Sequence, residues 1–270
     1  MDNRLSATVQ MQFMRPRQLE NALRLLPVVY VPFGLIEWHG RHLPLGNDAL
    51  KAHAVLVKCA EQFGGVVYPP VYFPYTKYVK GSETLHPEED HWKIAMLTAL
   101  FNRIKAMGTR VIIGVSGHNI AQQITWINRA LEPVVADGTI TGIGLWEMTL
   151  SRCEESNSDH AAKWETSNMM FFYPEFVDMS ELGSSPLMPN MQPPDGIGGL
   201  DPRAHASVEV GRRNVELAVA AIGQESKGIV RSVARKSAVV QFACHLPATL
   251  VVRITSSLSK PCRRRGDLRA

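Results

Sequence analysis

The chain has 270 residues, room for one large domain or two small ones, and a core of that size needs no disulfide staples. Hydrophobic residues make up 45% and charged residues 20%, the balance of a globular protein, and the formal net charge of +4 is not the clustered charge of a nucleic-acid binder. The four cysteines (Cys59, Cys153, Cys244, Cys262) form no CxxC pair, which argues against a cysteine zinc site and a disulfide framework and fits a reducing cytoplasm.

The opening MDNRLSATVQMQFMRPRQLE holds no apolar core of signal-peptide length. No uninterrupted apolar run approaches the roughly 20 residues that a membrane helix needs. Short apolar runs then alternate with longer helical patterns. VVYVPFGLI predicts a buried strand, and DALKAHAVLVKCAEQF a helix with Asn47 or Asp48 near its N-cap and Gly64-Gly65 past its end. GVVYPPVYF is strand-like, with prolines that push it toward an edge or an early stop. PEEDHWKIAMLTALFNRIKAMG predicts a helix, with Pro87 near its first turn, acids beside it and Gly108 as its stop. RVIIGVS reads as a strand, NIAQQITWINRALEPVV as a helix, GTITGIGLWEMT as a strand and HAAKWETSNMMFF as a helix. This alternation predicts a layered α/β fold with a mainly parallel sheet, with ligands bound beyond the C-terminal ends of its strands.

Residues 180 to 200 are rich in Ser, Pro and Gly and read as a long loop, followed by one more helix in DPRAHASVEVGRRNVELAVAAIG. The alternation breaks at about Lys236. A domain over residues 1–235 is therefore expected, with residues 236–270 as a divergent tail. Its apolar part reads as a strand or two, either an interface or an ordinary buried pair. Its basic end, CRRRGDLRA, reads as a frayed, solvated terminus and not as a nucleic-acid site.

The chemistry is concentrated in GLIEWHGRHLPLGND, residues 34–48. Glu37 and His39 are two apart, which on an extended strand puts both side chains on one face. Asp48 opens the next helix, where free N–H groups stabilise a carboxylate. His118, in VSGHN, stands at another strand end. Imidazole with carboxylate is the ligand set of zinc, manganese or iron, and a carboxylate such as Asp48 can bridge two ions. Singly, each residue reads more simply as a hydrogen-bonded histidine, a surface acid or a helix cap. Together they are costly to place beside a buried strand without a partner, and a metal is the simplest one. His160 and Glu165, in SDHAAKWETSNMM, form a second cluster. By spacing alone this is a helix start capped by Ser158 or Asp159, with Glu165 solvated.

EWHGRHLPLGNDA closely resembles the signature of the creatininase family of metal hydrolases, a Glu-x-His-Gly-x-His-Leu-Pro run followed by Asp. SGH at 116–118 resembles the family's Asn-Gly-His element, DHAAKWETS its His-Ala-Gly-x-x-Glu-Thr-Ser element, and GIGGLDPRAHASVEVG the stretch before its last helix. The likeness runs from about Pro27 to about Gly223. It implies a three-layer α/β/α domain with two divalent ions (Zn, Mn or Fe). Glu37 and His118 would bind one ion and His39 the other, with Asp48 bridging. Creatininase carries a further ligand, a glutamate two residues after the histidine; here that position is Ile120, and Glu165 is the expected substitute. His160 would be the catalytic histidine and His42 would orient a ligand. The chain departs from the family at NIAQ, where Gly-Gly-Asn is common, and at Ala162, while FPYTKYVKGSETLHP only loosely matches a loop that could serve as a lid.

The resemblance implies a cytoplasmic, metal-dependent amidohydrolase. It would cleave a non-peptide C–N bond, a cyclic or linear amide, with a metal-activated water. The expected partners are a small-molecule amide and further copies of the chain, since the family often forms hexamers; neither nucleic acid nor membrane is expected. A deformylase or peptide-trimming enzyme keeps the same site with another substrate. A degenerate member that binds without catalysis is the reading from a different class.

Overall fold

The structure, a computed structural model, describes residues 2–72, 90–147, 159–188 and 195–244, the side chains of 90–91 and 232–244 excepted. The loop around GSETLHP, the helix start at Pro87, Ser158 and the basic C-terminal end lie outside these residues.

Four apolar segments form one sheet: β1 (Val28–Phe33), β2 (Val66–Val67), β3 (Val111–Ser116) and β4 (Thr141–Trp146). Every residue of β1 and β3 is buried. Strands covered on both faces read as continuous apolar runs, not as alternating ones. The order is β2-β1-β3-β4 and every pairing is parallel, with Val28 opposite Val111 and Phe33 opposite Ser116. The expected α/β fold with a mainly parallel sheet is therefore the observed one, and among the described strands every pairing is parallel.

Helices make the connections: α2 (Asn47–Phe63) after β1, α3 (Asp90–Ala106) before β3, and α4 (Ala121–Val135) between β3 and β4. A further helix, α1 (Pro16–Leu25), precedes β1; it starts at a proline, whose fixed φ suits the first turn. One face of the sheet buries Val29, Val31, Phe33 and Ile112 against Leu23 of α1, Leu97 and Phe101 of α3, and Ile127 and Leu131 of α4. On the other face Tyr30 reaches across to α7 (Val208–Cys244), its hydroxyl 3.0 Å from Ser226 Oγ. Two more helices, α5 (Lys163–Phe172) and the short α6 (Pro202–His205), follow the sheet in the chain. Among the described residues no helix is long and apolar enough to cross a membrane.

The last helical segment differs from expectation at both ends. Asp201 and Ser207 each accept a backbone N–H, so DPRAHASVEV breaks into α6 and the start of α7. Gly223 does not stop α7, because a Cβ there would run into the Phe63 ring: the glycine serves close packing. Residues 237–244 are helical, not strand, and no proline between Val208 and Cys244 interrupts the helix. The chain divides into compact units of Met1–Ile229 and Val230–Ala270, the second described only as helix through Cys244.

The strand order decides where a ligand can sit. From β1 the chain crosses to β2 on one side and later returns to β3 on the other. The connections therefore diverge between β1 and β3, and a crevice opens beyond their C-terminal ends. The first turn of α2 is seated directly on this crevice. A Cβ added to Gly34 would strike the backbone of Ala49, and one added to Gly117 would strike the backbone of Asp48, so both glycines are required by close approach. Gly117→Ala is predicted to lower unfolding stability by about 1–3 kcal/mol through forced displacement of that turn. A urea midpoint equal to the wild type would refute the close-packing argument.

Candidate metal centre

Three segments bring their side chains to the crevice. The extended stretch after β1 supplies Glu37 and His39, α2 supplies Asp48 in its first turn, and the end of β3 supplies His118. α5 adds Glu165, also in a first turn, and His160 stands just before it. All six are buried, Glu37 and His39 completely.

Their donor atoms fall into overlapping groups, each within 4.8 Å: Glu37, Asp48 and His118; His39, Asp48 and Glu165; Glu37, His39 and His160. His118 Nδ1 lies 3.2 Å from both Glu37 Oε2 and Asp48 Oδ2. His39 Nε2 lies 3.0 Å from Asp48 Oδ1 and 3.4 Å from Glu165 Oε2. Asp48 thus offers one oxygen to each of the first two groups. His39 Nδ1 is 3.1 Å from the Glu37 carbonyl oxygen. A carbonyl only accepts, so Nδ1 carries the proton and Nε2 is the nitrogen free to bind.

Neither Glu37 carboxylate oxygen, nor Asp48 Oδ2, nor His39 Nε2 makes a hydrogen bond of acceptable geometry. Buried acceptors without donors are costly. Carboxylate and imidazole atoms that converge without bonding one another fit a divalent ion of the zinc, manganese or iron kind. The charges of the protein groups agree. Burial alone disfavours an imidazolium at His39, but Asp48, Glu165 and Glu37 overcome it and push its pKa up to about 10. At His118 burial acts the same way, and Asp48 and Glu37 raise the pKa to about 9. The set is starved of positive charge.

Glu165 departs from the solvated alternative: it is 2% exposed. Asp159 caps the start of α5, its carboxylate accepting the N–H groups of Trp164 and Glu165 at 2.7 and 3.2 Å. Ala161 takes a left-handed φ of 51°, uncommon without glycine, and so turns its N–H onto Glu165 Oε2 at 2.7 Å. Ile120 carries no ligand atom on its side chain. Its carbonyl accepts the Trp146 indole N–H at 3.2 Å, and Glu165 stands in the group that contains His39.

His160 is pinned by a two-way backbone bridge to Gly198, 2.9 and 2.7 Å. Its ring lies 4.4 Å from that of His39, and its Nε2 is 2.9 Å from the Trp38 carbonyl oxygen. Nε2 must donate there, which leaves Nδ1 as the basic nitrogen. Burial, with His39 adding to it, lowers the His160 pKa, so the ring is neutral at pH 7. His42 stands behind the turn that carries Glu165. Its Nε2 meets Thr166 Oγ1 at 2.9 Å, and Thr166 donates in turn to the Ala161 carbonyl, so His42 braces the turn between His160 and Glu165.

The sequence reading missed Lys51. It is fully buried, with Nζ 2.9 Å from Glu165 Oε1, 3.3 Å from Asp48 Oδ1 and 3.5 Å from Glu147 Oε2. Burial disfavours its charge, but Glu165, Asp48 and Glu147 more than offset this and raise its pKa. Glu147 was missed too. Burial lifts its pKa to about 7 against the pull of Lys51, and Asn168 and Asn214 continue the polar chain behind it. The available signal was a lysine one turn after Asp48, at the start of the mostly apolar stretch AHAVLV.

A family model described as creatininase, creatinine amidohydrolase, matches residues 12–225. A mycofactocin precursor peptide peptidase of Mycolicibacterium smegmatis is 30% identical over 196 residues, 68% of this chain and 73% of that protein. Creatinine amidohydrolase of Pseudomonas putida is 24% identical over 196 residues, 65% of this chain and 75% of that one. The crystal structure of a creatininase superposes with a TM-score of 0.70 at 19% identity, over 82% of this chain and 97% of that one. A zinc–zinc form of a creatininase variant does so with 0.68 at 20%, over 82% and 97%. The fold, and a family model spanning most of the sequence, agree: the chain belongs to the creatininase family.

Proposed function

We propose that the protein is a metal-dependent amidohydrolase that cleaves a non-peptide C–N bond in a small cyclic or linear amide. The observation that carries this reading is the buried convergence of Glu37, His39, Asp48, His118 and Glu165, with acceptor atoms left unpaired at the crevice between β1 and β3. An amidohydrolase and a peptide peptidase among the relatives, and the zinc–zinc form of a creatininase variant among the similar structures, support this reading.

Glu37 and His118 would hold one ion and His39 and Glu165 the other, with Asp48 within reach of both. Such a pair, when bound, lowers the pKa of a water toward neutrality and polarises a carbonyl. The remaining work falls to the chain itself. Neutral His160, its Nε2 committed to the Trp38 carbonyl, receives a proton at Nδ1 and returns it to the departing nitrogen. The backbone bridge to Gly198 and the His42–Thr166 brace fix where Nδ1 stands. A short peptide is the second reading of the same site, favoured by the 30% identity to a precursor peptide peptidase.

The test is a panel of cyclic amides, linear amides, formamides and short peptides. It is run on chelated protein and on protein reloaded with zinc, manganese or iron. Turnover of an amide that chelation removes and metal restores is expected. Turnover confined to peptides would support the second reading, and no turnover with any metal would leave a binding protein.

Two sets of variants sharpen it. His39→Ala and Asp48→Ala are expected to lose metal and activity while circular dichroism stays native; full turnover by either would sink the proposal. His160→Ala is expected to keep its metal and its substrate KM but to lose about 10²–10⁴-fold in kcat, the usual contribution of a positioned acid–base group. An unchanged kcat would remove His160 from the mechanism.

A further inference from the structure

His160 is held from two sides. Its ring Nε2 donates to the carbonyl oxygen of Trp38 at 2.9 Å, and its backbone pairs both ways with Gly198. Trp38 stands between Glu37 and His39, and Gly198 comes from far along the chain.

The short segment 196–200 joins these two contacts. Gly196 takes a left-handed φ of 65°, and a Cβ there would strike the edge of the Trp38 indole ring and the backbone nitrogen of Gly40. Two residues on, Gly198 makes its bridge to His160, and the Leu200 carbonyl accepts the N–H of Lys163 at the start of α5. Between them Ile197 is buried in one apolar cluster with Leu43, Ala161 and Ala162. The segment is thus wedged between the stretch after β1 and the turn before α5.

The indole itself does not touch the His160 ring through this bond; the Trp38 backbone does. A large flat ring seated against a residue without a side chain has little room to rock, and the peptide that carries it is held with it. For a group that must meet a reacting atom, a misplacement of about 1 Å costs on the order of 10²-fold in rate.

We propose that Trp38, seated on Gly196, is a positioning residue for His160. The indole sets the direction of the Trp38 carbonyl, the carbonyl keeps the ring proton on Nε2, and Nδ1 is left basic for the departing nitrogen. The neighbouring ligands are held separately: Glu37 donates its N–H to the Leu45 carbonyl at 2.9 Å, and His39 Nδ1 donates to the Glu37 carbonyl. The inference rests on the hydrolase reading above, with His160 as its acid–base group.

The first readout needs neither a substrate nor a folded variant of the segment. Full-length protein with isotopically labelled histidine ring nitrogens is given zinc and studied by NMR, the His160 ring being assigned against His160→Gln. A neutral ring with its proton on Nε2 is expected; a proton on Nδ1 would overturn the proposal. In Gly196→Ala and in Trp38→Leu the two tautomers are expected to mix, and rings unchanged in both variants would overturn it as well. On an amide that the wild type turns over, each single variant is expected to lose about 10–100-fold in kcat with KM and zinc content unchanged. The two changes together, in which the alanine methyl takes up room that leucine leaves, are expected to recover part of that loss. Zinc lost in step with kcat, or losses that simply multiply in the double variant, would mark a merely structural contact and overturn the proposal. A wild type that shows the Nε2 tautomer but turns over no amide would overturn the hydrolase reading and leave the positioning of His160 standing.

Discussion

Four carboxylates, those of Glu37, Asp48, Glu147 and Glu165, are buried together beneath one crevice, and the rest of the site answers to their charge. Taking a carboxylate out of water costs several kcal/mol unless a cation or a set of donors compensates it. Lys51 brings a single positive charge. The imidazoles of His39 and His118 can bring two more only by holding protons, and a protonated nitrogen cannot bind metal. With both rings neutral, Glu37, Asp48 and Glu165 outweigh the one charge of Lys51, and Glu147, its pKa lifted to about 7 by burial, adds only part of a charge. The same accounting bears on Glu37, whose buried carboxylate oxygens accept no hydrogen bond and are open to a cation.

Geometry makes this charge cluster possible. The parallel order β2-β1-β3-β4 places the ends of β1 and β3 side by side, and glycines at 34 and 117 let the first turn of α2 lie directly against them. Asp48 then reaches both groups with its two oxygens. The second half of the site comes from far along the chain, where the strained Ala161 backbone and the Asp159 cap turn His160 and Glu165 inward. Stability has been given up at Ala161 and in the buried acids, as is common where side chains are fixed for chemistry.

Much of this was legible in the sequence because it is local. The strand and helix periods predict the alternating fold, and the fifteen residues from Gly34 to Asp48 hold three candidate ligands in one run. Glu165 was ambiguous because spacing alone leaves a first-turn glutamate in water; only packing shows it buried. Lys51 and Glu147 were illegible for a related reason. A lysine on a helix is ordinarily a solvated charge, and its meaning here depends on Glu147 and Glu165, which arrive from other segments, as well as on Asp48 of its own helix. His42 was legible as a supporting residue, but its partner was not, because Thr166 lies 124 positions away. The C-terminal run 237–244 misled in the other direction: its apolar, β-branched character suggested strand, but it continues a long helix without a breaker.

The central claim is that this buried acid-and-imidazole cluster exists to hold divalent metal. Elemental analysis of protein purified without chelator and without a metal-affinity column tests it most directly. The account predicts about two zinc, manganese or iron ions per chain, the complement of a paired-metal site. Protein that carries no transition metal, and takes up none on reconstitution, would contradict it.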